Sequence, residues 1–138
     1  MKLPLRQAGK LNFLIYRLPV VGEQLVRRQS RALAYAAFYA PLLGGKKSGS
    51  VPELLAGWKS FLGRVGLKMT VTATDEKSFT FEMNACPYGY CTKEDRGVCD
   101  AAMDVDRTYV RLLGGEMEIL ERIPDGAEKC RCRVSLRG

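Results

Sequence analysis

Hydrophobic positions recur along this chain with two different periods, and the change from one to the other falls at Gly66. Before it the spacing is helical. Leu3, Leu5, Leu11, Phe13, Leu14, Ile15 and Leu18 alternate in groups with Arg6, Lys10 and Arg17, which predicts a short amphipathic arm or helix from Lys2 to Arg17, stopped before Pro19. Val20 to Ala40 reads as a second helix whose stripe is Val21, Leu25, Leu33, Ala36 and Ala40, with Ala32, Ala34 and Ala37 beside it. Its alanine-rich second half lets another backbone approach closely, within the fold or across a dimer. Pro41 and Gly44-Gly45-Lys46-Lys47-Ser48-Gly49 end that helix in a basic loop. A third helix follows: Ser50 can cap it, Glu53 can return the bond, Pro52 suits the first turn, and Leu54, Leu55, Trp58, Phe61, Leu62 and Val65 keep helical spacing.

After Gly66 the period becomes two. Leu67, Met69, Val71 and Ala73 alternate with polar residues, Asp75-Glu76-Lys77-Ser78 turns, and Phe79, Phe81, Met83 and Ala85 alternate again, so a β-hairpin is expected. Pro87 prevents the second strand from continuing past Cys86. Tyr88 to Val98 reads as a loop that delivers Cys91, and Cys99 opens a helix through Leu113, stopped by Gly114-Gly115. At such a start the positive end of the helix would lower a thiol's pKa. Glu116 to Ile123 is a strand, Pro124-Asp125-Gly126 a turn and Lys129 to Leu136 the last strand, with Cys130, Cys132, Val134 and Leu136 on its inward face.

Composition narrows what the cysteines can be doing. With 138 residues, 46% hydrophobic and 27% charged, the chain can bury a core without disulfide staples. Two regions are expected within one globular unit: a basic helical stretch over 1–49 and a cysteine-containing domain over 50–138. Residues 1–74 have a net charge of +10 and residues 75–138 one of −3, which gives the overall +7. The basic half is suited to an acidic protein, nucleic acid or an anionic membrane surface. No signal peptide or membrane span is read, so the expected compartment is the cytoplasm, where clustered cysteines serve as metal or redox groups more often than as disulfides. The Gly44 to Ser48 loop lacks the spacing and the preceding strand of a phosphate-binding loop.

All five cysteines fall in the last 53 residues and there is no histidine. Imidazole catalysis and mixed Cys/His zinc sites are therefore excluded, and a side-chain metal site must use thiolates. Cys86, Cys91, Cys99 and Cys130 form the candidate metal and cofactor set, with Cys132 in reserve. Their loose spacing matches neither paired zinc knuckles nor ferredoxin, which leaves a four-iron [4Fe-4S] cluster and zinc as the two candidates. The alternative for Cys99, Cys130 and Cys132 is burial as small hydrophobes.

The order of elements, together with Cys86-Pro87-Tyr88, Cys99-Asp100, Asp104, Arg122, Gly126 and Cys130, resembles the 4-vinyl-reductase domain and its relative, the L-2-amino-thiazoline-4-carboxylic acid hydrolase-like family. The resemblance covers roughly Ser50 to Val134; Cys91 is an addition to the family pattern and Cys132 stands where an aromatic is usual. It implies an α+β fold, an antiparallel sheet with helices packed against it, of the type shared with transport-particle subunits and nitric-oxide-sensing domains. It also implies a small-molecule ligand, with cysteines holding zinc or an iron-sulfur cluster. Two functions follow as expectations. One is a metal- or cluster-binding sensor or accessory protein, which a homodimer would suit. The other is a hydrolase of a thiazoline-type amino acid, with Cys99 as nucleophile assisted by Asp100 or Asp104. A reversible Cys130/Cys132 redox switch is a third.

Overall fold

A computed structural model describes residues 4–40 and 45–137. The expected helix start at Lys2, and the helix stop at Pro41 and Gly44, lie outside the described residues. The chain runs α1 (Leu5–Tyr16), α2 (Gly22–Tyr39), α3 (Val51–Arg64), β1 (Thr70–Thr74), β2 (Ser78–Met83), α4 (Arg96–Ala102), α5 (Asp104–Leu113), β3 (Gly115–Glu121) and β4 (Cys130–Leu136), with 3-10 turns at Lys93–Asp95 and Ile123–Asp125. The fold is α+β: a four-stranded sheet in the order β1-β2-β4-β3, antiparallel at each pairing, with helices packed against it.

The hairpin forms because period-two alternation places Phe79 and Phe81 inward, while Asp75 closes the turn by accepting N–H bonds from Lys77 and Ser78 at 2.7 and 2.9 Å. β4 slots between β2 and β3, so Cys132 lies opposite Phe81 on one side and Ile119 on the other, and Cys130 lies opposite Met83. The outward face of the sheet is polar: Glu82, Glu118 and Glu121 pair with Lys129, Arg133 and Arg131. The inward face meets α3 and α5 around Trp58, whose ring packs within 6.4 Å of Phe61, Phe81 and Tyr109.

α3 begins as its sequence directs: the Ser50 hydroxyl accepts from the Glu53 N–H at 3.4 Å. Glu53 reaches one residue further back than a capping box requires and accepts from the Gly49 N–H at 2.8 Å. α2 differs from expectation. Its buried stripe is Gly22, Val26, Ser30, Ala34 and Phe38, whereas Val21, Leu25, Leu33 and Ala36 are exposed. The small residues win the inward side because α2 packs against α1, α4 and α5 together, and ridges meet most closely where side chains are short. The single helix expected from Cys99 is also two: α4 starts three residues earlier, at Arg96, and a one-residue break at Met103 separates it from α5.

Candidate functional site

The cysteine loop is held from both ends. Gly89, in the left-handed region at φ 82°, lets its N–H return to the Cys86 carbonyl at 3.1 Å, which a side chain there would oppose. Tyr88 and Tyr90 stack at 5.5 Å, and the Tyr90 hydroxyl donates to the carbonyl of Gly9 on α1 at 2.9 Å, a buried bond 81 residues apart in sequence. A methyl at Gly9 would collide with Tyr88, so α1 presses its bare backbone onto the loop.

Behind that loop lies a cavity of about 60 Å³. Cys86, Cys99, Cys130 and Cys132 line it, from the loop, from α4 and from β4. Trp58, Phe81, Met103 and Ile119 supply apolar wall, and Asp106 and Arg122 supply charge. Cys91 takes no part. It is exposed on the far side of the loop, where its N–H donates to Asp95 at 2.9 Å in the turn that starts α4. Cys132, the reserve in the sequence-derived set, takes its place around the cavity.

Cys86, Cys99 and Cys132 are not activated. Cys99 is the fourth residue of α4 and lies behind the Lys93–Asp95 turn, so the unpaired N–H groups of the helix start are spent before it. Burial pushes its pKa up to about 12, the neighbouring Cys86 and Cys130 sulfurs push the same way, and Arg122 opposes them. This corrects the expectation of a lowered value. Cys132 is likewise pushed up to about 12, first by burial and then by Asp106 and Cys130. Burial also raises Cys86, with a contribution from Cys130. Apolar surroundings keep these groups as neutral thiols.

Two further groups in the wall lack partners among the described residues. Asp106 makes no hydrogen bond or ion pair; part of its surface lines the cavity, and burial pushes its carboxyl up to about 7 against the pull of Arg107. The buried Trp58 Nε1–H has no acceptor. An unmatched buried donor costs about 1–3 kcal/mol, which applies to the sealed indole N–H; Asp106 is only half-buried.

Asp100 and Asp104 stand apart from this. Asp100 receives Arg27 at 2.8 Å, Arg107 at 2.6 Å and Arg122; Asp104 receives Arg27, Arg31 and Arg107, each at 3.1 Å. Although burial pushes the other way, the Arg27 and Arg107 bonds hold the Asp100 carboxyl well below the usual range. A carboxylate so engaged is a poor base at neutral pH, which removes Asp100 as a base for Cys99; Asp104, with three guanidinium bonds, does not line the cavity.

The donor chemistry suits a soft metal: four thiols, one carboxylate and no imidazole. Among the described residues no three Cys, Asp or Glu side chains stand close enough together to hold an ion as placed.

Sequence reasoning missed Asp106. Its signal was a carboxylate on the otherwise apolar stripe Cys99, Met103, Asp106 and Val110, spaced four, three and four. It also missed that Arg27 and Arg107 would neutralise the two aspartates it had nominated.

No family model matches the chain, and no curated protein matches it. The resemblance to the 4-vinyl-reductase domain therefore rests on its motifs alone. Among solved structures the chain is similar to a trafficking protein particle complex subunit 3 from Naegleria fowleri, solved covalently bound to palmitic acid. The two share 13% identity, with a TM-score of 0.44, over 98% of this chain and 78% of that one. No helix among the described residues is long and apolar enough to cross a membrane.

Proposed function

We propose that this chain is a metal-binding accessory or sensor protein whose metal site is the cavity lined by Cys86, Cys99, Cys130 and Cys132. The observation that carries this reading is the lining of one cavity by four thiols from three separate elements, with Asp106, which has no hydrogen-bond partner among the described residues, in the same wall. A single zinc ion and a four-iron cluster both lie within the chemistry of four thiolates, and the single ion is the reading put to the test. Such an ion supplies a fixed positive charge that turns the thiols into thiolates. Because Cys99 and Cys132 hold their protons up to about 12, loading releases protons, and affinity rises with pH. The basic N-terminal helices are the side on which an acidic partner, nucleic acid or an anionic membrane would dock.

Elemental analysis of protein purified without oxygen tests the reading. We expect one zinc per chain, lost in a Cys99→Ser/Cys130→Ser double variant and kept in Cys91→Ser. Stoichiometric iron and sulfide with broad visible absorption would replace zinc by a cluster. Absence of any metal, or a double variant that still binds it, ends the proposal.

One observation favours a second reading. If the chain is a hydrolase of a thiazoline-type amino acid, its base is Asp106, whose carboxyl at about 7 faces the same cavity as Cys99. Turnover that survives chelation and disappears in both Asp106→Asn and Cys99→Ser would select it. No turnover from either form of the protein would remove it.

A further inference from the structure

The stripe that hydrophobic periodicity assigns to the inside of α2 is outside, and it does not stand alone. Leu11, Leu14 and Leu18 on α1, Val20 in the turn, and Val21 and Leu25 on α2 are all exposed, and they follow one another around the tip of the α1–α2 hairpin. Single exposed leucines need no explanation. Six in sequence around one tip do.

The tip is built in a costly way. Val20 has φ 69°, the left-handed region, which a β-branched residue adopts only under constraint. Its side chain is 99% exposed, so no contact within the chain compensates for that conformation. The turn around it is nonetheless closed, with the Val21 N–H bonded to the Pro19 carbonyl at 2.8 Å and the Gly22 N–H to the Leu18 carbonyl at 3.1 Å. The backbone thus holds an aliphatic side chain fully out in solvent.

Cations surround this apolar tip. Lys10, Arg17 and Arg28 are exposed beside the leucines and make no ion pair among the described residues. The other arginines of the pair, Arg27 and Arg31, are drawn inward onto Asp100 and Asp104. Glu23 is the single acidic residue between positions 4 and 40, and it is bound to Arg27.

We propose that the tip of the α1–α2 hairpin docks on an anionic membrane surface, with Leu14, Leu18, Val20 and Val21 entering the headgroup boundary and Lys10, Arg17 and Arg28 meeting lipid phosphates or carboxylates. The pairing of aliphatic side chains with cations is what an interfacial helix presents to such a surface. Nucleic acid would use the cations and leave the leucines in water. A second copy seated on the same patch would set Lys10, Arg17 and Arg28 against themselves with no acid available to offset them. The proposal deepens the reading of the basic helices as a docking side and is independent of the metal site, whose loss would leave it standing.

The test is vesicle flotation of the full chain with phosphatidylcholine alone and with added phosphatidylserine. We expect binding that requires phosphatidylserine and weakens between about 0.1 and 1 M salt, where the Debye length falls from about 10 to 3 Å. Val20→Asp should abolish flotation. Aspartate tolerates the left-handed region better than valine and the position touches nothing, so the thermal midpoint should hold. Arg17→Ala and Arg28→Ala should each weaken binding about fivefold. Failure to float with phosphatidylserine overturns the proposal. So does flotation that Val20→Asp leaves intact, or a concentration-dependent dimer that Val20→Asp dissociates while flotation is absent, or capture of duplex DNA in place of vesicles.

Discussion

Helices α4 and α5 carry two polar clusters, and the two are built on opposite terms. On one side Asp100 and Asp104 take four arginines from α2, α5 and the end of β3, and each carboxylate accepts three charge-assisted hydrogen bonds. Arg107 even donates back to the Asp100 carbonyl at 2.9 Å. Toward the cavity, Cys99 and Asp106 share a wall with three more thiols and Trp58, and among the described residues Asp106 and the indole N–H lack partners. A well-partnered cluster positions elements, here α2 against α4 and α5. An under-partnered one is where we propose that a ligand enters. Both contain the chemistry that a search for acids, bases and metal ligands would select, so residue type does not separate them; satisfaction of their hydrogen bonds does.

The largest effect should come from the filled side. Asp104→Ala removes one acceptor shared by the part-exposed Arg27, Arg31 and Arg107, and we expect a loss of about 2–3 kcal/mol in urea denaturation with zinc stoichiometry unchanged in whatever remains folded. A loss under about 1 kcal/mol would mean the cluster does not hold α2 in place.

Asp106 should behave in the reverse sense. Its folded value of about 7 lies above the unfolded value of about 3.9, so the folded state keeps a proton that the unfolded state gives up. Stability of the metal-free protein should fall as pH rises from about 4 to 7, with a slope of at most about 1.4 kcal/mol per pH unit, and level off above. Asp106→Asn should flatten that slope. An unchanged pH profile would show that Asp106 has a partner in solution.

Smaller still is the effect of Cys99→Ala on folding, about 1 kcal/mol for a lost buried sulfur, set against complete loss of the ion. Equal damage to both would place Cys99 with the packing residues. Cys91→Ser should change stability by less than about 0.5 kcal/mol and leave metal content alone, since the side chain is exposed and only its backbone is used.

The sheet was legible because period two is unambiguous when Phe79 and Phe81 alternate with threonine and glutamate around an Asp75 turn, and Cys130 and Cys132 inherited their inward direction from it. The α3 cap was legible because Ser50 and Glu53 act within four residues of themselves. What escaped the sequence depends on contacts between distant elements. α2 offers two stripes, one of Val21, Leu25 and Leu33 and one of Gly22, Val26, Ser30, Ala34 and Phe38; hydrophobicity favours the first, and only the closeness of α1, α4 and α5 selects the second. That Cys132 and not Cys91 lines the cavity escaped for the same reason. Proximity of Cys91 to Cys86 along the chain says nothing of the loop that turns it outward, and Cys132 reaches the cavity by its register opposite Phe81 and Ile119. Asp106 was passed over because a carboxylate on an apolar stripe is usually solvated, and its lack of a partner is visible only once Arg107 is seen to turn to Asp100 and Asp104.

The protein has one tryptophan, and it forms part of the cavity wall. Its indole N–H has no acceptor, and its ring is packed on Phe61, Phe81 and Tyr109. Emission from a single fluorophore in that position is a built-in gauge of occupancy. A guest that supplies an acceptor, a charge or a heavy atom will shift or quench it, whereas an event at the hairpin tip will leave it dark to the change. Label-free titration in a cuvette can therefore tell filling of the interior from docking of the exterior in the same sample.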